Sequence, residues 1–401
     1  MLAGKNSRQY FPFFNEREGL VYLDNAATTQ KPLAVIESLR DYYVKGNVNI
    51  DRGSYFLSRQ AEDSVLGVRR RVAELINGSS EREIIFTSGA TEGLNMVARS
   101  YGEVFVEEGD EVIVSVMEHH SNFLPWERLC RERKAHLRVV PLTEAGSIDL
   151  SVLERMLTVR TKVVAINHVS HVLGSVNPIA KISEMVHKVG GVIVVDGTQA
   201  LGHLKVDVSA MGCDFFVFSG HKMYGPMGVG VLYGKGDLLD KMKVDKIGGG
   251  MVKRLGVDHL PVYEALPYRF EAGTLNIGGI MGLGGAIDFL QEIGYEEIGA
   301  HEQGLMAYFR EKMGGLSSIV WLGAGMCGSV GIASFNVRGV HPLDVGMRLD
   351  GAGIAVRTGS FCAYPLMQYL GVEGGVRISF AVYNTWEEID VLVEVLRRYF
   401  P

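Results

Sequence analysis

Short runs of Val, Ile and Phe recur along the first two-thirds of this chain. EIIFTSG (83–89), DEVIVSV (110–116), TKVVAINHVS (161–170), GVIVVDG (191–197), CDFFVFSG (213–220) and VGVLYG (229–234) read as buried strands. Between several of them lie amphipathic stretches, such as ATEGLNMVARSYG (90–102) and AKISEMVHKVG (180–190), that read as helices. Continuous apolar strands alternating with helices predict an α/β fold with a mostly parallel sheet covered on both faces. From about residue 295 the pattern changes. EIGAHEQGLMAYFREKM reads as a helix, SVGIASFNV and GVRISFAVY as strands, and WEEIDVLVEVLRRYF as a closing helix. The expected organisation is a large domain over 18–292 and a smaller α+β domain built from 1–17 and 293–401. No internal repeat and no low-complexity linker interrupts it.

The bulk numbers narrow the function. At 401 residues the chain suits one large and one smaller domain. Its 47% hydrophobic and 21% charged residues are ordinary for a soluble enzyme. A formal net charge of -6 leaves no basic excess for phosphates and argues against a nucleic-acid binder. The start, MLAGKNSRQYFPFFNEREGL, is charged and lacks the apolar core of a secretory signal, and no run suits a membrane span. Cys130, Cys213, Cys327 and Cys362 are scattered and form no CxxC pair, which fits a reducing cytoplasm better than a disulfide scaffold or a zinc site.

Ligands in open α/β sheets sit beyond the carboxyl ends of the strands, so polar residues there are the candidates. Three strands end in such clusters. TSGATEGLN (87–95) runs from a strand into a helix, whose free N–H groups and dipole favour a phosphate around Ala90 and Thr91. Alone this is a weak signal, since a glycine turn before a helix is more often structural. VVDGTQ (194–199) puts Asp196 at a strand end, where an Asp can simply cap a helix. FSGHKMYGP (218–226) puts Ser219, His221 and Lys222 after an apolar run with no acidic neighbour, a costly place for an idle lysine. Together they form a chemical set. Pyridoxal phosphate needs a lysine for its Schiff base, an acid opposite its pyridine nitrogen and an anion site for its phosphate. Lys222, Asp196 and the 87–92 segment supply all three. EHHSN (118–122) adds His119, which could stack on the pyridoxal ring or bind loop backbone. RTGSFCAYPL (357–366) raises a further question: whether Cys362 is a buried hydrophobe or a thiol held out for chemistry.

These stretches resemble the cysteine desulfurases of the class V aminotransferase group, specifically the SufS-like branch. YLDNAATTQKP (22–32), MEHHSNFLPW (117–126), DGTQALGH (196–203), FSGHKMYGP, RFEAGTLN (269–276) and the RTG..CA pattern at 357–363 occur in that family's order. The resemblance implies an aspartate aminotransferase-like, fold type I architecture with a seven-stranded-type sheet. It implies pyridoxal 5'-phosphate as cofactor and L-cysteine as substrate. Lys222 would carry the cofactor, His119 would stack on it and shuttle protons, and Asp196 and Gln199 would meet its pyridine nitrogen and phenolic oxygen. Ala90, Thr91, Ser219 and His221 would hold the phosphate, with Thr274 reaching in from the second subunit of a homodimer. Arg377 would grip the substrate carboxylate, Arg357 would sit near the thiol loop, and Arg52 at the subunit boundary. Cys362 would take the sulfur as a persulfide for a sulfur-acceptor or scaffold protein in iron-sulfur cluster assembly. The Gly-rich segment 245–272 looks like the hairpin insertion of the SufS-like branch.

Three departures from the family pattern fall at the expected rim. VSHVLG has His171 where the family has Asn, at the place that meets the cofactor's phenolic oxygen. Ser360-Phe361 precede the cysteine where the family has His. DRGSYFLS (51–58) has Asp51 and Tyr55 in place of two histidines. The other readings are a selenocysteine lyase or another β-eliminating lyase on this scaffold, and a non-catalytic scaffold subunit, which would need neither Lys222 nor Cys362. No metal site is expected.

Overall fold

Period-two alternation within each apolar run divides the side chains between two faces of a sheet. The computed structural model describes residues 4–50, 53–323 and 330–401. After a short first strand, β1 (Val21–Tyr22), come β2 (Ile84–Thr87), β3 (Glu111–Ser115), β4 (His136–Val140), β5 (Thr161–Asn167), β6 (Val192–Asp196), β7 (Phe215–Ser219) and β8 (Gly230–Gly234). The last seven form one sheet in the order β2-β8-β7-β6-β5-β3-β4. Its ladders are parallel except where β8 runs antiparallel to both β2 and β7. Ile113, Val164, Ile193, Val195, Phe216 and Phe218 face one core, covered by helices Phe56–Leu75, Ile179–Lys188 and Ile277–Ile293. Val112, Val114, Val163, Ala165, Val194 and Val217 face the other, where Leu94, Trp126 and Leu129 pack. The six apolar runs read from the sequence are six of the seven strands. The seventh, HLRVV at the sheet edge, buries only Val140 fully and so shows no apolar run. The stretch 90–102 is helix over Ala90–Val97 and then widens into a π-helical turn, Ala98–Gly102.

Segment 245–272 contains an antiparallel hairpin, β9 (Val252–Leu255) with β10 (Pro261–Tyr263). Beyond it, β11 (Ile319–Trp321), β12 (Ile332–Val337), β13 (Ile354–Ala355), β14 (Arg357–Gly359) and β15 (Gly375–Ser379) complete the strands. An antiparallel sheet in the order β11-β12-β15-β14 packs on helices Tyr295–Met313, Pro342–Asp350 and Trp386–Tyr399 through Leu305, Phe309, Phe335, Ile378 and Leu392. The closing helix starts at a capping box, Thr385 with Glu388. β1 pairs in parallel with β13, and Asp24 bridges to Ser379, so the early segment 21–24 joins the C-terminal layers. No helix among the described residues is long and apolar enough to cross a membrane.

Candidate active site

β2, β5, β6 and β7 end at one sheet edge, in Thr87, Asn167, Asp196 and Ser219. A cavity opens beyond these ends. Ala90, Thr91, His119, His171, Asp196, Gln199, Ser219, His221 and Lys222 all line it. Nine sequence candidates spread over 133 residues thus meet because parallel strands bring their carboxyl ends together.

One end of the cavity is built for an anion. Helix Ala90–Val97 begins after Gly89 with no side-chain cap. The Ala90 N–H donates to Ser219 Oγ at 2.9 Å, and the Thr91 and Ser121 hydroxyls lie 2.7 Å apart. Gly230 lets this loop lie against β8: a Cβ there would meet Gly89 Cα at 2.5 Å and the Phe218 carbonyl at 2.6 Å. His221 Nδ1 is buried without a hydrogen-bond partner among the described residues. Burial, with Lys222 and Lys31 nearby, pushes the His221 imidazole down to about 4. A phosphate would satisfy these donors and offset the surrounding positive charge.

The other end holds the acid and the amine. Burial raises the Asp196 carboxyl, against the Thr198 N–H that donates to it at 3.0 Å and the attraction of Lys222. Burial, and then the Arg377 guanidinium, push the Lys222 ammonium down to about 8. It makes no hydrogen bond or ion pair with any described residue. The His119 side chain caps helix His120–Arg133, its Nδ1 accepting the Ser121 N–H at 3.1 Å. The neutral ring therefore carries its proton on Nε2. Burial and the charges of Lys222, His120 and Arg377 hold it down at about 4. Gln199 Nε2 donates to the Ala26 carbonyl at 2.7 Å. An uncommitted amine, a buried carboxyl and the unpartnered His221 nitrogen beside the Ala90 helix start fit pyridoxal phosphate, with its aldehyde, basic pyridine nitrogen and phosphate.

The family comparison agrees with this geometry. The class-V aminotransferase family matches residues 21–392. The chain belongs to that family. A probable cysteine desulfurase of Halalkalibacterium halodurans is 45% identical over 98% of this chain and 96% of its own length. The cysteine desulfurase of Pectobacterium carotovorum is 45% identical over 94% and 93% of the two chains. Among solved structures, the apo cysteine desulfurase of Thermococcus onnurineus NA1 superposes with a TM-score of 0.95 at 36% identity, covering 100% of this chain and 98% of that one. The cysteine desulfurase CsdA of Escherichia coli gives 0.91 at 34% identity, covering 98% and 97%.

In this class-V aminotransferase the remaining candidates lie outside that cavity's lining. Arg377 donates to the His171 carbonyl at 2.9 Å and is buried beside the cavity. Asp24 holds it at 3.4 Å and holds the half-exposed Arg357 at 2.5 Å. Cys362 is exposed at the rim, and its carbonyl accepts the His120 N–H at 2.8 Å. Phe361 and Cys362 are both left-handed, with φ 55 and 57. Burial drives the Cys130 and Cys213 thiols up to about 12, the opposite of an attacking thiolate. Thr274 lines a separate cavity with Ser88 and Glu92. Arg52, Asp51 and Cys327 lie outside the described residues.

Sequence reasoning missed a buried polar group behind the site. Glu118 accepts from Ser115 Oγ, from Asn122 Nδ2 at 2.7 Å, and from the backbone and side-chain N–H of Asn167 at 3.1 and 2.9 Å. Burial lifts its carboxyl to about 8 against these donors. It fixes Asn167 in the cavity wall next to Asp196. Asp24 was missed too. Both lie inside motif stretches quoted for their neighbours, and Asn167 sits at a strand end where the strand-end rule applies.

Proposed function

We propose that this chain is a pyridoxal-phosphate-dependent cysteine desulfurase that converts L-cysteine to L-alanine and keeps the sulfur as a persulfide on Cys362. The observation that carries the reading is one cavity combining the unpaired Lys222 amine, the buried Asp196 carboxyl and an anion cradle, with an exposed thiol at its rim. When bound, pyridoxal phosphate supplies an electron sink for the carbon next to the substrate amine. Lys222 is the attachment amine, and its lowered proton affinity keeps about a tenth of it neutral near pH 7. Asp196 would face the pyridine nitrogen and Gln199 the phenolic oxygen. The Ala90 N–H, Thr91, Ser219 and His221 would hold the phosphate, joined by Thr274 of a second copy. His119 would stack on the ring and, with its proton on Nε2, would donate and recover that proton. Arg377, fixed by Asp24 and the His171 carbonyl, takes the substrate carboxylate, with Arg357 beside it. The Cys362 thiolate forms the S–S bond as the substrate's C–S bond breaks; the electron pair of the broken bond goes to the carbon, which takes up a proton and leaves as alanine, and the substrate's sulfur stays on Cys362 as the persulfide.

The working unit in this reading is a cytoplasmic homodimer that hands sulfur to an acceptor or scaffold protein for iron-sulfur cluster assembly. Tyr43, Val44 and Phe56, apolar and more than half exposed, support a second copy covering that face. Equilibrium sedimentation of an active monomer would contradict it. The chemical reading is tested with Cys362→Ser. This variant should keep the visible absorbance of bound cofactor and still bind cysteine, yet form neither alanine nor sulfide. After cysteine, wild-type enzyme should carry one extra sulfur on the Cys362 peptide. Sulfur on Cys130 or Cys213 instead would overturn the assignment.

A further inference from the structure

We infer that His171 is a positioning residue that latches the Cys362 loop in its docked conformation. Its Nε2 lies 2.9 Å from the carbonyl oxygen of Phe361, one residue before the thiol and 190 residues away in sequence. A carbonyl only accepts, so Nε2 is the donor and the neutral ring has no proton left on Nδ1. Burial, together with the charges of His119, Arg377 and Lys222, holds the imidazole neutral, while the Phe361 carbonyl favours its protonated form. The sole donor of the ring is therefore committed to the loop. The resemblance puts residue 171 against the cofactor's phenolic oxygen, but donating there as well would need a second proton on this ring.

The base of the latch is rigid. The N–H groups of Val172 and Leu173 donate to Ser170 Oγ, and Ser334 Oγ donates to the Val172 carbonyl at 2.7 Å. Gly174 closes the turn at φ 71, where a Cβ would meet the Ile332 carbonyl at 2.5 Å. The loop side has reason to need holding. Two successive non-glycine residues in the left-handed region persist only when the surroundings over-determine them. Three contacts besides His171 do so. The Phe361 ring is buried under the Arg377 guanidinium, 5.3 Å from its centroid. The His120 N–H donates to the Cys362 carbonyl, and the Tyr364 N–H donates to His120 Nε2 at 3.3 Å. Arg377 in turn donates to the His171 carbonyl, so latch, loop and the proposed carboxylate site form one contact set. His171 and Phe361, two departures from the family pattern, thus touch one another.

This deepens the reading of Cys362 as the sulfur acceptor and rests on it. The test is hydrogen exchange on the intact holoenzyme, read by mass spectrometry. His171→Ala and the milder His171→Asn should speed exchange in the 357–367 segment and at the His120 amide about fivefold. At 1.4 kcal/mol per tenfold, that is about 1 kcal/mol, one ordinary hydrogen bond. His171→Gln, which keeps an N–H on a longer stem, should return exchange toward wild type. Unchanged exchange in both truncating variants overturns the latch. So does an equal rise in β5, β6 and β15, which would mean general loosening. Exchange needs neither cysteine nor turnover, so its outcome is independent of whether the persulfide maps to Cys362.

Discussion

Replacing Lys222 by Met should stabilise the cofactor-free protein near neutral pH. Burial and the Arg377 charge lower the ammonium from 10.5 to about 8, so the folded protein resists holding this proton. Between those two values the unfolded chain binds more protons than the folded one, and stability rises with pH. Below about pH 8 both states are protonated and the full penalty applies. At 1.36 kcal/mol per tenfold in proton affinity, that penalty is about 3 kcal/mol near pH 7 and about 1.4 kcal/mol near pH 9.5. Methionine keeps most of the volume and carries no charge, so Lys222→Met removes the penalty without opening a large cavity. The assay is urea unfolding of both cofactor-free proteins at the two pH values, followed by the fluorescence of buried Trp126. Wild type should be weaker by about 3 kcal/mol near pH 7, and the gap should roughly halve near pH 9.5. Equal stability at pH 7, or a gap that does not shrink, would refute the account. The buried Lys222 amine would then be no burden to the empty fold.

Further expectations follow from the same contacts. Above about pH 9, where the Glu118 carboxyl is ionised, Glu118→Gln puts an amide donor among four donors, so it should destabilise the protein by about 2 kcal/mol in thermal unfolding, and an unchanged Tm there would show that the network does not hold this carboxyl. Asp24→Asn removes the carboxylate that holds Arg357 and Arg377, and should raise KM for cysteine about tenfold with a smaller effect on kcat; steady-state kinetics with unaltered KM would remove Asp24 from the carboxylate site. Gly230→Ala forces the Gly89 loop away from β8, so it should weaken cofactor retention in equilibrium dialysis while leaving cysteine-free thiol titration of Cys362 unchanged.

The fold and the heart of the site were legible in the chain because their signals are local. An apolar run of four to seven residues buries both faces of a strand, and a polar residue at its end is delivered to the sheet edge whatever lies elsewhere. That is why Asp196, Ser219, His221 and Lys222 could be chosen by position and chemistry, and why the edge strand β4, half-exposed and without such a run, could not. Tertiary structure alone decided which partner each polar group found. Asp24 meets Arg357 across 333 residues and Arg377 across 353, and His171 meets Phe361 across 190. No spacing rule reaches that far, since such pairs depend on how the C-terminal layers dock on the sheet. Proton affinities were decided there too. His119, His171, His221 and Lys222 are residue types with ordinary values in water, and only their shared burial and neighbouring positive charges hold the imidazoles neutral and lower the amine's proton affinity.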